Sequence, residues 1–574
     1  MNIKVIILFL FSFFIFLRII ILENDLPPRV ITDIYAVDEL YYTIPAFNLY
    51  NYNKFSYQEQ LPFKTKNDAG AGNTLQNITT YFTLLIFGNN YYGLRMASVI
   101  ISLFSILLLF LIFRKIDQEN LKLALFLLFY FGIEFSFLIA SRSNAPVNFR
   151  IFSLVLILYI VFLIKDYMKL SFMLGLLSTI SIFFVYFHNL FIWAASLFSI
   201  IIYSYLNKKS TDKKIYINII LFFLGTIMSV VLFNMFIKAA YNIDIIDYFN
   251  GFKVYSRRLA FDSNENFLLA SGKNMLNFFT TSIFRLNISF LFISLLIFPS
   301  FIYKIIKEKR FIDVFILLLL LMLFGQSIFE NSFHFRRLTI ILPIALLVIY
   351  NGVIYLKIFK DFLKVKNYFK YYKIYFYIII LFSIFIFYMS NISKYSYGSI
   401  GHTLFNIGEF FVIINIIMLI IISIVSYIYF FEKKDISLKV FTYIYLLLLI
   451  PNFYLSLRYI TPKFNYKETM IHFSRNLKNN EITVGQASFL FRLYNNSKPI
   501  LNWYKYEKID DNAYKNNFKK AFKEKNIKYT IDFYKKNKPF QLNDLVDNNL
   551  KLKLVKSYLI DKVTIVVLLK KIED

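Results

Sequence analysis

Two adjacent carboxylates near the start of the chain are the residues best suited to chemistry. Asp38 and Glu39 stand in the segment "TDIYAVDELYYTIPAFNLY", residues 32–50. A carboxylate within hydrogen-bond reach of a hydroxyl can take its proton as a new bond forms. Asp is also favoured immediately before a helix. Asp38 is therefore either a catalytic base or the N-cap of a helix that starts at Glu39, and the residues alone favour the cap.

Two pairs of adjacent arginines provide the positive charge that a phosphate group would need. Arg336 and Arg337 stand beside His334 in "FHFRR", and Arg257 and Arg258 stand in "VYSRRLAF". The planar guanidinium of Arg suits two-point contact with phosphate oxygens. The alternative for each pair is contact with lipid headgroups or a structural ion pair.

The composition predicts that membrane-spanning helices position these residues. The chain has 574 residues, of which 58% are hydrophobic and 17% charged, and its mean hydropathy is +0.57. Soluble domains usually carry about 25% charged residues. The chain contains no cysteine, which excludes disulfides, thiolate zinc sites and cysteine nucleophiles. The four histidines form no metal-binding motif, so no metal ligand is predicted.

Apolar runs long enough to span a bilayer recur along the chain up to Leu457 and predict about thirteen transmembrane helices. The predicted spans are Val5–Leu22, Leu94–Phe113, Leu121–Ala140, Val147–Ile164, Leu170–Phe187, Leu190–Leu206, Ile215–Ile237, Ile288–Ile305, Phe311–Ile328, Leu338–Leu356, Ile374–Met389, Phe411–Phe431 and Val440–Leu457.

Alternate connections between these spans are short and basic, which places them on the cytoplasmic side. They include "FRKIDQENLK", "NKKSTDKK" and "KIIKEKR", and they account for much of the net charge of +29 without a nucleic-acid partner. The remaining connections are then extracytoplasmic, including residues 23–93 with the acidic pair and the loops with the paired arginines. Arg142 follows a span at an outer turn. It contacts Asp38 or a lipid carrier, or it snorkels to the interface.

The pattern divides the chain into residues 1–458, a transmembrane domain, and residues 459–574, an extracytoplasmic soluble domain. In this tail, the segments "EITVGQ", "IKYTIDF", "KLVKSYLI" and "VTIVVLL" predict strands. The segments "KETMIHFSRNLKNN" and "DNAYKNNFKKAFKEKN" predict helices. The predicted class is thus an α-helical polytopic membrane protein with a small C-terminal α/β domain.

The first outer loop contains two segments with helical periodicity. In "VDELYYTIPAFNLYNY", residues Leu40, Ile44 and Phe47 fall on one face, which predicts a helix in the membrane interface with this face in lipid and Asp38 toward water. In "NTLQNITTYFTLLIFG", the apolar residues also share one side, and Gly88 ends the helix.

The order of these segments resembles the GT-C superfamily of polyprenyl-phosphate-sugar glycosyltransferases. Within it, the chain is similar to bacterial protein O-mannosyltransferases and lipid A aminoarabinose transferases. The resemblance rests on "VDELYYTIPAFNLY" after the first span and "TYFTLLIFGNNYYGLRMASVIISLFSILLLFLIFRKI" around the second. It extends through "FLIASRSNAPVNFRIFSLVLILYIV", "FFVYFHNLFIWA" and "FHFRRLTIILPIALL". It covers most of the chain up to Leu457.

The resemblance implies an inverting transfer of one sugar from a polyprenyl-phosphate donor to a hydroxyl of a lipid, glycan or protein, outside the cytoplasmic membrane. It favours Asp38 as the base. Glu39 orients Asp38, binds a sugar hydroxyl or a divalent cation, or is solvated, and Tyr42 in the same segment is a substrate-binding candidate. This chain has Asn144 where many relatives have Asp after the third span, and Asn73-Thr74 where relatives often have a Pro-Pro pair.

Two other functions remain open from the sequence. A transporter or flippase of lipid-linked saccharides has a similar number of spans, but it needs charged or broken helices near the bilayer centre. Apart from Glu134, the spans here are nearly free of acidic residues. A polysaccharide polymerase or ligase is expected to carry its major outer loop late in the chain rather than after the first span.

Overall fold

The structure is a computed structural model whose described part is a bundle of long apolar helices followed by a small sheet. It describes residues 3–20, 22, 39, 43–53, 55, 73–206, 212–241, 245–246, 287–329, 339–366, 368–391, 409–431, 449–450, 466–477, 481–484, 493–494, 498–500, 528–535, 552–559 and 564–571.

Sixteen α-helices make up most of these described residues. They are α1 (Ile3–Ile19), α2 (Ile44–Tyr52), α3 (Thr74–Phe87), α4 (Tyr91–Ile116), α5 (Leu121–Ile133), α6 (Phe135–Arg142), α7 (Pro146–Leu163), α8 (Tyr167–Ile180), α9 (Leu190–Leu206), α10 (Asp212–Tyr241), α11 (Ile288–Glu308), α12 (Phe311–Phe329), α13 (Ile341–Val365), α14 (Phe369–Asn391), α15 (Glu409–Phe431) and α16 (Tyr466–Asn476).

Most of the bundle helices can cross a bilayer. Within the described ranges, nine meet the length and hydropathy expected of a span, and the bent pair α5 and α6 meets them when taken together. Helices α1 and α12 are apolar but shorter or less fully described. Every predicted span therefore has a helix, except the last one, residues 440–457, of which only 449 and 450 are described. The protein is a polytopic, helical membrane protein.

The third predicted span, Leu121–Ala140, is not one continuous helix. It breaks at Glu134, where α5 and α6 meet at an angle of 56°. The buried Glu134 carboxylate caps α6, because it accepts hydrogen bonds from the Phe137 backbone N–H at 2.9 Å and from the Ser136 hydroxyl. An N-cap acceptor satisfies donors that the first turn of a helix leaves unpaired. The uniformly apolar sequence around Glu134 conceals this break.

Arg18 fastens α1 to the break. Its side chain is fully buried and donates to the Ser102 hydroxyl on α4 at 3.0 Å and to the Gly132 carbonyl near the end of α5 at 3.1 Å. Carbonyls near a helix end lack intrahelical partners. The buried Arg18 guanidinium bonds one such carbonyl, that of Gly132. Its two contacts fix the C-terminal end of α1 against α4 and α5.

A second irregularity occurs where the fifth predicted span meets the sixth. After α8 the chain forms a π-helical turn at Ser181–Val185 and a 3-10 turn at Phe187–Asn189. The Asn189 amide donates to the Ser181 carbonyl at 3.1 Å, and its oxygen accepts from Arg150 Nε at 3.2 Å. Asn189 thus links the π-helical turn to Arg150 on α7.

The two helices of the first outer loop pack differently from each other. Ile44 and Phe47 on α2 are buried, so the prediction that this face lies in lipid is wrong. The reason is that α2 packs against α3. On α3, the apolar residues Phe82 and Leu85 are more than half exposed, while its amide and hydroxyl side chains face inward. That outward apolar face is typical of an interfacial helix.

The interior of the bundle lies around α13. Most of this helix is buried, and it contacts α11, α12, α4 and α5. Helices α10, α14 and α15 expose most of their apolar residues, as lipid-facing helices do. Packing in this core holds the early helices α4 to α7 in place. These helices carry the turns described below.

The C-terminal residues form a mixed five-stranded sheet. Its strands are β1 (Ile482–Val484), β2 (Lys498–Ile500), β3 (Tyr529–Lys535), β4 (Leu552–Leu559) and β5 (Thr564–Lys571), in the order β2-β1-β3-β5-β4. Strand β1 runs parallel to β2 and β3, whereas β5 runs antiparallel to β3 and β4.

Most predicted elements of the tail match this sheet. All four predicted strands are present, and the first predicted helix is α16, which buries Met470 and Phe473. Strand β2 was not predicted; its three residues include Pro499, and a proline weakens a strand signal. The second predicted helix, residues 511–526, lies outside the described residues.

Candidate functional site

A buried ion pair holds the acidic motif of the first outer loop. Glu39 is 1% exposed, and its carboxylate accepts from Arg95 Nε at 2.9 Å and from Arg95 Nη2 at 3.3 Å. This two-point geometry is the strong form of a carboxylate–guanidinium contact. The interpretation of Glu39 as a solvated residue is therefore wrong, because Arg95 and the surrounding helices enclose it.

Arg95 also fixes the other end of the segment that contains Asp38. Its Nη1 atom donates to the Leu22 carbonyl at 2.7 Å. Leu22 follows α1, and Glu39 stands immediately after Asp38. One side chain in the first turns of α4 thus bonds both Leu22 and Glu39.

The turn between α6 and α7 supplies a third contact to the carboxylate. The Asn144 backbone N–H donates to Glu39 Oε1 at 2.9 Å. The Asn144 side-chain amide donates to the Thr80 hydroxyl at 2.6 Å and to the Leu94 carbonyl at 2.7 Å. Its own carbonyl accepts from the Gln76 amide at 2.6 Å. Asn144 therefore joins α3, α4 and the acidic motif.

The inward face of α3 also holds the start of α2. The Asn77 side-chain oxygen accepts from the Ala46 backbone N–H at 3.1 Å, and its amide donates to the Asn73 carbonyl at 2.9 Å. The Thr43 hydroxyl donates to the Glu39 carbonyl at 2.7 Å. Buried polar groups of this kind need partners. Together they connect Glu39 to α2 through both its side chain and its backbone.

This arrangement separates the roles available to the two acidic residues. Both oxygens of Glu39 accept hydrogen bonds, Oε1 from Arg95 Nε and the Asn144 N–H and Oε2 from Arg95 Nη2. Asp38 lies outside the described residues, yet Glu39 fixes the backbone directly after it. The geometry suits Glu39 as a positioning residue, and the role of Asp38 remains a prediction.

Arg142 lies in the same region as the ion pair. It ends α6, two residues before Asn144, and is only 5% exposed. Its positive charge lies close enough to those of Arg18 and Arg95 for electrostatic repulsion between them. The snorkelling interpretation is wrong for this residue, because the side chain is enclosed by protein. Buried positive charge therefore gathers at the C-terminal ends of α1 and α6 and near the N-terminal end of α4.

The other predicted site residues are Asp38, Tyr42, Arg257, Arg258, His334, Arg336 and Arg337. All seven lie outside the described residues, so their predicted roles remain predictions. Among the residues that the structure does describe, no group of three or more histidine and acidic side chains is arranged to hold a metal ion.

Arg95 is a site residue that was not predicted from the sequence. Its signal was an arginine in the first turns of an apolar span, in "NNYYGLRMAS". A charged residue at such a position is costly unless it has a partner, which marks it as a candidate site residue. Asn144 departs from the family pattern, and its contact with Glu39 uses the backbone N–H, while its side-chain amide bonds the Thr80 hydroxyl and the Leu94 carbonyl.

Comparison with known proteins places this geometry in a known fold. No family model and no curated protein matches the sequence. The structure resembles ArnT from Cupriavidus metallidurans bound to undecaprenyl phosphate, with a TM-score of 0.57 and 11% identity over 99% of this chain and 97% of that one.

Two further solved structures are similar to the chain. ArnT from the same organism in the apo state gives a TM-score of 0.54 at 10% identity, over 99% of this chain and 97% of that one. An oligosaccharyltransferase from Archaeoglobus fulgidus gives 0.44 at 11% identity, over 92% of this chain and 69% of that one. The likeness to ArnT extends over nearly the whole length of both chains, and the chain therefore has the GT-C fold of the ArnT structures.

Proposed function

We propose that the protein is an inverting glycosyltransferase that moves a monosaccharide from a polyprenyl-phosphate donor to an acceptor hydroxyl on a lipid, glycan or protein. The observation that carries this proposal is the buried contact of Glu39 with Arg95 and Asn144, which fixes the backbone beside Asp38. The GT-C fold supports it, as does the undecaprenyl phosphate bound to the similar ArnT structure.

The reaction needs a base more than it needs an acid. The lipid phosphate is already a good leaving group, while the acceptor hydroxyl must lose its proton as its oxygen attacks the anomeric carbon. Asp38 takes that proton, the new carbon–oxygen bond forms, and the bond to the phosphate oxygen breaks with inversion at the anomeric carbon. Correct placement of the base accounts for a large part of such catalysis.

The remaining candidates bind the donor. Arg257, Arg258, Arg336 and Arg337 lie in predicted outer loops and contact the lipid phosphate, which needs fixed positive charge as it departs. Tyr42, His334 and Arg142 complete the set of donor-binding candidates around the sugar and phosphate. The scheme assigns no role to a divalent cation, and the oxygens of Glu39 accept from Arg95 and Asn144.

We infer that the site faces the outside of the cytoplasmic membrane. The basic connections between spans support this orientation by the positive-inside rule. By the same rule, the C-terminal residues 459–574 form an extracytoplasmic domain. The charge pattern does not specify the sugar or the acceptor. Both are identified by comparing the lipids and glycans of cells that carry or lack the gene.

The test compares cell-envelope lipids and glycans from cells that carry or lack the gene, and from deletion cells complemented with variants. Mass spectrometry of the deletion should reveal a product that has lost one sugar residue. Wild type restores it, whereas Asp38→Asn does not, because the amide cannot accept the proton. Asp361→Asn changes an exposed residue near the predicted cytoplasmic end of α13 and should restore the sugar as wild type does. Full restoration by Asp38→Asn would refute the role of Asp38.

A further inference from the structure

The C-terminal residues contact the turn that begins α4. The Tyr494 backbone N–H donates to the Asn89 carbonyl at 2.9 Å, and the ring of Tyr494 meets the ring of Tyr91 edge-on at a centroid distance of 6.1 Å. Leu493, the preceding residue, is completely buried. This contact joins a segment between β1 and β2 to the membrane-embedded helices.

The Tyr91 ring in turn lies against the arginine of the acidic motif. The Arg95 guanidinium carbon lies 4.0 Å from the centroid of the Tyr91 ring, and Tyr91 is 3% exposed. A guanidinium over an aromatic face at this distance is a favourable cation–π contact, and burial strengthens it. The contacts therefore run from Tyr494 through Tyr91 and Arg95 to Glu39.

The turn that Tyr494 contacts is closely packed. Gly88 has a φ of +80°, which favours glycine, and Asn90 caps α4 by accepting from the Gly93 N–H at 2.9 Å. A Cβ added at Gly93 would meet the Gly88 carbonyl oxygen at 2.0 Å, so the backbone approaches itself closely here. Because of this close packing, the turn has little room to adjust when Tyr91 moves.

Tyr494 itself has a backbone conformation that suits a specific contact. Its φ is +65°, a region that bulky residues rarely adopt and that persists where the surroundings determine it. The contacts with the Asn89 carbonyl and the Tyr91 ring are two interactions that can hold Tyr494 in this conformation. The observations favour a defined docking contact over incidental packing of a surface loop.

We propose that Tyr494 is a positioning residue for transfer, acting through Tyr91 and Arg95 on the acidic motif. The C-terminal residues thus contribute to the site without touching substrate. This inference rests on the proposed function, since it assigns to Tyr494 an effect on the base at position 38. Loss of the Tyr494 ring frees Tyr91 to move, and the ion pair that fixes Glu39 then samples less productive geometries.

The first test replaces Tyr494 in the full-length protein, purified in lipid nanodiscs and assayed with the donor-containing lipid extract of deletion cells. Tyr494→Asn tolerates a positive φ and retains the backbone N–H but removes the ring. We expect kcat per folded molecule to fall by roughly twofold to tenfold, the range that one aromatic pair contributes. KM for the donor should stay unchanged, because no donor-binding group moves.

Conservative and control variants separate positioning from general stability. Tyr494→Phe keeps the ring and should keep wild-type kcat, whereas Tyr91→Leu removes the other ring of the contact and should lower kcat as Tyr494→Asn does. Tyr205 is 77% exposed on α9, and Tyr205→Asn should leave kcat unchanged. Wild-type kcat in both Tyr494→Asn and Tyr91→Leu would overturn the inference.

A double-mutant cycle tests whether the effect passes through Arg95. Arg95→Lys keeps a positive charge but loses the flat guanidinium that lies on Tyr91. If Tyr494 acts through this contact, then Tyr494→Asn should cause no further loss in the Arg95→Lys background. Effects that multiply would overturn the inference. Wild-type transfer by Asp38→Asn in the same assay would instead overturn the proposed function on which it rests.

Discussion

At the scale of single residues, the ion pair between Glu39 and Arg95 is the feature on which the site depends. It lies in a nearly dry environment, with Arg95 2% exposed and Glu39 1% exposed. Removing one member of such a pair leaves the other charge buried without its counter-ion, which usually costs about 3–5 kcal/mol. The pair therefore has a measurable effect on stability that is separate from its effect on transfer.

We predict that Glu39→Gln lowers the free energy of unfolding by several kcal/mol, because the Arg95 charge loses its counter-ion. Unfolding of the purified protein in detergent, followed by circular dichroism, measures this change. Glu308→Gln is the matched control, since its pair with Arg310 is partly exposed and should contribute less than about 1 kcal/mol.

A second measurement separates stability from positioning at the same pair. In Glu39→Leu combined with Arg95→Leu, neither charge remains, so much of the lost stability should return. Transfer should stay absent, because nothing then fixes the backbone beside Asp38. A stable double variant with wild-type transfer would show that the pair is not needed for positioning.

The sequence predicted part of this site. Asp38 and Glu39 are site candidates from the sequence because they are adjacent carboxylates in a predicted outer loop. Hydropathy and charge asymmetry, which predict that loop, depend only on local composition. The partner of Glu39 is Arg95, 56 residues further along the chain, and Asn144 is 105 residues away. Such contacts depend on how helices pack, and a single sequence carries no direct signal of that packing. The choice among the roles of Glu39 was therefore open until its contacts were known.

At the scale of elements, the turn between α3 and α4 places the arginine in register with the acidic motif. The Thr83 hydroxyl donates to the Gly93 carbonyl at 2.6 Å, and Gly93 lies too close to the Gly88 carbonyl to accept a side chain. The packing of α3 on α4 consequently depends on the absence of a Cβ at one position.

We predict that Gly93→Ala destabilises the protein by more than about 1 kcal/mol, since its Cβ would lie 2.0 Å from a backbone oxygen and the turn must shift. Thermal unfolding of the purified variant measures the change. Gly325→Ala is the control, because nothing lies within 4 Å of its added Cβ. There alanine should be neutral or stabilising by up to about 1 kcal/mol, as in other helix interiors. Equal melting of the two variants would contradict the close packing at the turn.

The elements also mark where hydropathy is informative and where it is not. The long apolar runs gave the spans, because a bilayer requires about 20 apolar residues of helix. The same runs concealed the bend at Glu134, since the residues on both sides are equally apolar. For α2, periodicity identified an apolar face correctly but not what covers it, and that face packs on protein rather than lipid.

At the scale of the whole molecule, the orientation in the membrane rests on the distribution of lysine and arginine between spans. The chain has no cysteine, so single cysteines report accessibility without background. Lys570 on β5 and Glu119 between α4 and α5 are both exposed, and they are predicted to lie on opposite sides of the membrane.

We predict that a membrane-impermeant thiol reagent labels Lys570→Cys in intact spheroplasts and labels Glu119→Cys only after the membrane is permeabilised. The reason is that the positive-inside rule puts the connection with Glu119 in the cytoplasm. Gel-shift detection of the labelled protein gives the result. Labelling of Glu119→Cys in intact spheroplasts would reverse the assigned orientation and place the acidic motif in the cytoplasm.

The central claim is that Asp38 is the base for sugar transfer from a lipid phosphate. The most direct measurement incubates purified protein with the lipid extract of deletion cells, and follows by mass spectrometry the loss of the donor lipid and the release of polyprenyl phosphate. Wild type should convert the donor, and Asp38→Asn should convert it at least 100-fold more slowly, as expected when a general base is lost (about 10²–10⁴-fold). Conversion by folded Asp38→Asn at the wild-type rate would contradict the claim.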